Sequence, residues 1–184
     1  MKIVAISGSM RKGNTLKMIE AASSAFEKED ITVINLAEMN LCFCTGCLRC
    51  DEEKKCYIED DMEKYMDIIS AADGYILASP VRWSLISGEL KTFFDRLNPF
   101  AMTGELGGKK AILFVVGQSE ENSEDSFSID AGLKSLEFFC ENAGIDVIET
   151  VKAYGCYDYN DINESAFLAE CINAANKLKQ VLSE

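Results

Sequence analysis

Four cysteines with short, regular spacing are the residues of this chain best suited to chemistry. Cys44, Cys47 and Cys50 repeat at every third position, and Cys56 follows after a charged spacer. The pattern C-x2-C-x2-C-x5-C places four thiolate donors within thirteen residues. Four cysteine thiolates are the ligand set of a [4Fe–4S] cluster. The run therefore predicts a loop that binds iron and sulfide through these four residues.

Other interpretations of the cysteine run stay open. One is a zinc site of four cysteines, although structural zinc usually takes two C-x2-4-C pairs separated by a longer stretch. Another is a set of redox-active thiols without any metal. Cys42 is a further candidate, which either replaces Cys44 as a ligand or packs in the interior. The dispersed Cys140, Cys156 and Cys171 are expected to be small apolar core residues.

A second polar group lies in the loop Ser7-Gly-Ser-Met-Arg-Lys-Gly-Asn-Thr15, between an apolar run and a helical pattern. Its small residues let backbone N–H groups approach an anion, and the following helix N-terminus adds partial positive charge. The loop matches neither the Walker A nor the dinucleotide pattern. It predicts a phosphate site, with a βα turn that binds no ligand as the alternative. The side chains expected at the phosphate are Ser9, Arg11, Lys12, Asn14 and Thr15.

A third segment could form a pocket for a flat aromatic ring. It starts at Ser79-Pro80, and an irregular loop begun by proline offers both an apolar wall and backbone donors. Trp83 is either a wall of that pocket or a core residue, and Arg82 either faces a negatively charged ring or pairs with a surface carboxylate. The residues expected around the ring are Pro80, Val81, Arg82, Trp83, Ser84, Gly117 and Gln118.

The composition limits the classes of function. A net charge of −13 argues against nucleic acid and anionic membrane surfaces as partners. No apolar run approaches the roughly 20 residues of a membrane-spanning helix, and the apolar N-terminal stretch is too short for a signal peptide. We therefore expect a cytoplasmic protein, in which thiols stay reduced. The chain has no histidine, which excludes Ser-His-Asp and Cys-His nucleophilic machinery, so an enzyme of this sequence needs a cofactor.

Apolar runs alternate with helical patterns, which predicts βαβ units and a parallel sheet. The predicted strands are Lys2–Ile6, Ile31–Leu36, Gly74–Ala78, Lys110–Val116 and Asp146–Ala153. The predicted helices are Asn14–Lys28, Asp60–Ala72, Ser87–Leu97, Ser128–Ala143 and Asn163–Leu182. Candidate helix caps are Asn14, Asp60, Ser87 and Asn163 at the starts and Gly144 at an end.

Two loops are longer or more polar than folding requires. Residues 37–59 exceed the usual 2–6-residue βα loop and contain the cysteine run, and residues 117–127 are polar and acidic. Both follow the carboxyl ends of strands, where open α/β sheets bind ligands. We expect one domain, residues 1–184, with a cysteine-rich insertion at about 37–59.

The phosphate loop 7–15 and the segment 79–96 resemble the NAD(P)H-dependent FMN reductase and flavodoxin-like superfamily. The cysteine run resembles the iron–sulfur flavoprotein branch of that superfamily, whose compact motif precedes the second helix. The resemblance implies an α/β flavodoxin-like three-layer sandwich, with a five-stranded parallel sheet in the order 2-1-3-4-5 and helices on both faces. It also implies an FMN-dependent, NAD(P)H-linked oxidoreductase that passes electrons between FMN and a [4Fe–4S] cluster.

We expect no side chain to act as a general base, because the cofactors carry the chemistry and hydride and electron transfer need no base. It further implies a homodimer or homotetramer in which the cysteine loop of one subunit lies near a neighbour's flavin, with a small molecule or redox protein as electron donor or acceptor. One alternative is a cluster-free NAD(P)H-dependent FMN or quinone reductase. Another is a non-enzymatic, flavodoxin-like electron carrier whose acidic surface would steer it to a basic partner.

Overall fold

Five parallel strands form one sheet in the order β2-β1-β3-β4-β5 in the computed structural model, which describes residues 1–28, 30–162 and 166–184. The implied strand order is thereby confirmed. All predicted strands are present, and their ends move by at most two residues. Their bounds are β1 Ile3–Ser7, β2 Ile31–Asn35, β3 Gly74–Pro80, β4 Lys110–Val116 and β5 Asp146–Ala153.

Seven α-helices occur in the described part of the chain, two more than the sequence predicted. Their bounds are α1 Asn14–Ser23, α2 Arg49–Glu53, α3 Glu63–Ser70, α4 Gly88–Arg96, α5 Asn98–Thr103, α6 Phe127–Ala143 and α7 Ala166–Val181. The unpredicted helices are α2, inside the cysteine loop, and α5, which follows α4 after one residue. The predicted start of the last helix, with its cap Asn163, lies outside the described residues.

Two of the predicted helix caps are confirmed and two are wrong. The Ser87 hydroxyl accepts a hydrogen bond from the Leu90 N–H at 3.2 Å, and Gly144, at φ +71°, ends α6 in the left-handed conformation. Asn14 is instead the first residue of α1, because its side chain is bonded to the loop after β5. Asp60 lies two residues before Met62, the residue that precedes α3, and its carboxylate is shared between the Met62 N–H and Arg96.

The sheet separates two apolar cores. Alternate residues of β1 point to opposite faces, so that Ile3 packs with α1 and α7 while Ile6 packs with the helices of the other face, α3, α4 and α6. Strands covered on both faces read as continuous apolar runs, which explains why β3 and β4 were recognisable from sequence. None of the described helices has the length and apolar character needed to cross a bilayer.

Candidate cofactor sites

A cleft at the carboxyl ends of β1, β3, β4 and β5 brings together most of the residues predicted to bind phosphate and ring. The cleft is formed by the turns after these strands, as expected for an open α/β sheet. The predicted residues that line it are Ser9, Arg11, Asn14, Thr15, Pro80, Val81, Arg82, Gly117 and Gln118. The fold thus brings these predicted residues together, although no side-chain role follows from proximity alone.

The phosphate loop is pressed against the start of α4. The Gly8 N–H donates to the Ala78 carbonyl at 2.8 Å, and the Ser87 hydroxyl donates to the Gly8 carbonyl at 2.5 Å. A Cβ atom at Gly8 would lie 2.8 Å from Leu90 Cβ, so only glycine allows this close approach. Ser9 and Thr15 are nearly buried in the cleft, and the Ser9 hydroxyl accepts from the Arg11 N–H at 3.2 Å.

A segment that the sequence analysis missed, residues 156–159, closes the cleft from the side of β5. The Asn14 amide donates to the Asp158 carbonyl at 2.7 Å, and the Arg11 guanidinium carbon lies 4.7 Å from the centre of the Tyr159 ring. Gly155 and the tyrosines beside it follow the carboxyl end of a strand. The rule that open α/β sheets bind ligands at the carboxyl ends of their strands would therefore have predicted this segment as well.

The enclosed part of the cleft measures about 40 Å³. This narrow space, lined by polar side chains, suits a phosphate group. Backbone N–H groups, the Ser9 and Thr15 hydroxyls and the Arg11 side chain are suitable donors for such an anion. The residues present thus fit the phosphate end of FMN.

Three predicted residues lie outside the cleft lining. The Lys12 ammonium is 3.2 Å from the Glu38 carboxylate, and the Ser84 hydroxyl is hydrogen-bonded to the Ser128 hydroxyl at 3.2 Å. Trp83 is 99% exposed on a tight turn, at φ +51°. The interpretation of Trp83 as a core residue is therefore wrong, and as a ring wall it would act from the protein surface.

The cysteine loop is closed at its neck by a buried ion pair. Asp60 and Arg96 are paired, with side chains only 0% and 1% exposed. The Asp60 carboxylate accepts from the Cys42 N–H at 2.8 Å. The Arg96 guanidinium donates to the carbonyls of Cys42 and Ile58 at 2.9 and 3.2 Å. One ion pair thus holds together the chain entering the loop, the chain leaving it and helix α4.

The partners of Asp60 also set its ionisation. Burial by itself would raise the pKa of Asp60, but the Arg96 guanidinium and the N–H groups of Cys42 and Met62 outweigh it. The pKa of this carboxyl consequently lies below its ordinary value, and Asp60 is charged at neutral pH. The pKa of Arg96 is raised although burial opposes it, chiefly because Asp60 accepts its hydrogen bonds.

Beyond the neck, all four predicted ligands line one open cavity of about 350 Å³. The cavity lies between the cysteine loop and the α4–α5 corner, the segment 94–99 in which α4 ends and α5 begins. The lining cysteines are Cys44, Cys47, Cys50 and Cys56. Cys42 is exposed and does not line this cavity. The geometry therefore favours Cys44 over Cys42 as a ligand.

The described cysteines are all free thiols. Within residues 1–28, 30–162 and 166–184, no three His, Cys, Asp or Glu side chains stand close enough together to hold a metal ion. A tetrahedral zinc site is thus not formed by the loop as it stands. A four-iron cube holds its thiolates farther apart than a single ion does, so four free thiols around one open cavity fit the donor set of a cluster.

Two buried polar atoms of the described residues have no hydrogen-bond partner, the Ser7 hydroxyl oxygen and Arg96 Nε. Unpaired buried polar atoms are rare in folded proteins, and each requires an explanation. Ser7 ends β1 directly before the phosphate loop, and Arg96 lines the cysteine cavity. Both atoms thus belong to the borders of the two candidate sites.

The remaining cysteines are buried, as predicted. Cys140 on α6 and Cys171 on α7 have no exposed surface, and burial raises the pKa of each thiol to about 12. Cys156 is 8% exposed and borders the phosphate cleft, and burial raises its pKa to about 11. These thiols stay protonated at neutral pH and are poor metal ligands.

Comparison with known proteins identifies the family of this chain. The family model described as NADPH-dependent FMN reductase matches residues 1–126. An iron-sulfur flavoprotein of Methanocaldococcus jannaschii is 37% identical over 129 residues, which are 68% of this chain and 67% of that protein. An iron-sulfur flavoprotein of Methanosarcina thermophila is 28% identical over 191 aligned positions, covering 99% of this chain and 95% of that protein.

Among solved structures, the apo form of the NADH:FMN oxidoreductase EmoB superimposes with a TM-score of 0.68. The match covers 100% of this chain and 90% of that one at 23% identity, so it supports the fold alone. The family match and the sequence relatives support more than the fold. The chain belongs to the NADPH-dependent FMN reductase family, in its iron–sulfur flavoprotein branch, and is an FMN-dependent oxidoreductase.

Proposed function

We propose that this oxidoreductase passes electrons between FMN and a [4Fe–4S] cluster held by Cys44, Cys47, Cys50 and Cys56. The observation that carries the proposal is that these four thiols, and no other cysteine of the described residues, line one cavity at the end of a pinned loop. The chain is similar to proteins named iron-sulfur flavoproteins, which supports an iron–sulfur group beside the flavin.

At the other site, the chain's own residues would bind and orient FMN. Ser9, Arg11, Asn14 and Thr15 surround the space for the phosphate at the N-terminus of α1. The turn at residues 80–82, with Gly117 and Gln118, borders the same cleft and would contact the ring. When bound, FMN exchanges electrons singly or in pairs and the cluster carries one at a time, so the two sites together would join NAD(P)H oxidation to one-electron acceptors.

The positions of the two sites support a homo-oligomer. The phosphate loop contacts the first turn of α4, whereas the cysteine cavity is lined by its last turn. Nine helical residues place these ends roughly 13 Å apart at 1.5 Å per residue. A neighbouring subunit that places its flavin at this cavity would shorten the transfer, as in the homodimer or homotetramer that the family resemblance implies. The free thiols of the loop suit the cytoplasm, where thiols stay reduced.

Cysteine variants test the proposed ligand set. Protein reconstituted with iron and sulfide without oxygen should lose most of its iron when Cys47 or Cys50 is changed to serine, and should keep its FMN. Cys140→Ser is the matched control, because Cys140 is buried in α6 and should change neither cofactor. Cys42→Ser should also retain iron. Equal iron content in the Cys47→Ser and Cys140→Ser proteins would contradict the ligand assignment.

A cluster-free NAD(P)H-dependent FMN reductase is the second candidate function. It is favoured by the finding that, in the described chain, no three metal-binding side chains are already close together. The two candidates are separated by anaerobic reconstitution followed by a steady-state assay. Protein that takes up no iron during reconstitution, and that oxidises NAD(P)H with FMN at the same rate before and after it, would establish the cluster-free reductase.

A further inference from the structure

Two nitrogen donors of the α4–α5 corner face the cysteine cavity. The Asn98 amide donates to the Cys50 sulfur at 3.0 Å. Arg96, two residues earlier, lines the same cavity beside Cys56. Both residues belong to helical elements, so the donors are held more firmly than the loop that carries the sulfurs.

One N–H donor of the Arg96 side chain has no hydrogen-bond acceptor. Its two terminal nitrogens are occupied by Asp60 and by the carbonyls of Cys42 and Ile58. Its Nε has no partner although the side chain is only 1% exposed. A buried N–H of a charged group that lacks an acceptor is costly. A thiolate or sulfide held in the cavity would supply that acceptor.

We propose that Asn98 and Arg96 raise the reduction potential of the bound cluster by donating N–H···S hydrogen bonds, Asn98 to Cys50 and Arg96 to Cys56 or a neighbouring sulfide. The inference rests on the proposed function. One-electron reduction adds a negative charge to the cluster, and donors aimed at its sulfurs stabilise that charge more than the oxidised form. The corner thus determines how readily the cluster accepts an electron.

The test is an anaerobic redox titration of the FMN-bound, iron-reconstituted protein, followed by electron paramagnetic resonance. Asn98→Leu removes the donor without adding charge and keeps nearly the same shape. The matched control is Asn142→Leu, since the Asn142 amide is exposed and donates only to the Phe138 carbonyl of its own helix. The iron content of both variants should equal that of the wild type.

The expected result is a tenfold weaker affinity of the cluster for the electron in the Asn98→Leu protein, which for a one-electron couple is about 59 mV. The Asn142→Leu control should keep the wild-type potential. Arg96→Lys keeps the charge but removes the Nε donor, and should lower the potential in the same direction. If Arg96→Lys does not fold or load iron, Asn98→Leu still decides the question.

The outcomes separate this inference from the function on which it rests. A loaded wild type, with an Asn98→Leu potential equal to that of the control, overturns the inference and leaves the cluster in place. A wild type that takes up no iron overturns both. A lowered potential in Asn98→Leu, with unchanged iron content, supports the donors rather than a general loosening of the loop.

Discussion

Replacing Asp60 with asparagine tests whether the buried ion pair anchors the cysteine loop. Asparagine keeps the shape and one oxygen, which can still accept from the Met62 N–H. Its amide nitrogen, however, would face the donors of Arg96 and Cys42. The Arg96 charge would then be buried without a counterion, and the loop neck would lose its shared acceptor.

The expected loss follows from this burial. Removing one partner of a buried ion pair typically costs about 3–5 kcal/mol, because an uncompensated charge remains inside. For a domain of this size such a loss lowers Tm by roughly 10 °C. A total stability on the order of 5–15 kcal/mol should still leave a folded protein. The matched control is Asp95→Asn on α4, next to Arg96, because the exposed pair of Asp95 with Lys91 contributes at most about 0.5 kcal/mol.

The assay is urea unfolding of the apoprotein, combined with limited proteolysis at neutral pH. The Asp60→Asn protein should unfold at lower urea and be cleaved first within residues 43–57, while the control behaves as wild type. FMN binding should change little, since the phosphate loop follows a different strand. Equal stability of the Asp60 and Asp95 variants would refute the anchoring role.

The same pair predicts a pH dependence. Because the folded-state pKa of Asp60 is lowered, its stabilising contribution is complete above the unfolded value of about 3.9 and is lost as the pH falls through the folded pKa. The stability difference between wild type and Asp60→Asn should thus be largest near neutral pH and shrink below about pH 4. A difference that stays constant through this range would show that the ionised form of Asp60 is not what matters.

Three further predictions concern the cofactor sites. Arg11→Ala should weaken FMN binding by about 1–3 kcal/mol, measured by fluorescence titration, whereas Lys134→Ala on the surface of α6 should not; equal affinities would argue against the phosphate loop. FMN added to apoprotein should quench Trp83 emission if the ring lies against that turn, and unchanged emission would place the ring elsewhere. A thiol reagent should modify the five loop cysteines of native apoprotein rapidly and Cys140, Cys156 and Cys171 only after unfolding.

The sequence predicted the centre of the sheet because β1, β3 and β4 are buried on both faces, so that continuous apolar runs were enough. It was less accurate where side chains compete with the backbone. Helix α1 ends at Ser23 rather than Lys28, as the Ser23 and Ser24 hydroxyls bond back to the carbonyls of Ile19 and Ala21. Pro99, in the first turn of α5, was an available signal for the missed helix.

For the two sites, too, local sequence patterns were predictable and long-range side-chain contacts were not. Residues near one another in sequence, such as the phosphate loop and the cysteine run, could be recognised from their spacing. The pairing of Asp60 with Arg96 and of Asn98 with Cys50 joins residues 36 and 48 positions apart, and only the packing of α4 and α5 against the loop brings them together. For Trp83 the sequence left a ring wall and a core position open, and the turn at Arg82–Leu85 rules out the core position because it holds the side chain in solvent.

The most direct test of the proposed electron transfer is the iron and sulfide content of protein purified and reconstituted without oxygen, recorded with its visible spectrum. We predict about four irons and four sulfides per chain alongside one FMN, as four cysteine ligands around one [4Fe–4S] cluster require. Because air destroys exposed clusters, only the anaerobic preparation can show whether the protein binds one. Anaerobically reconstituted protein that holds FMN but no iron would contradict the proposal.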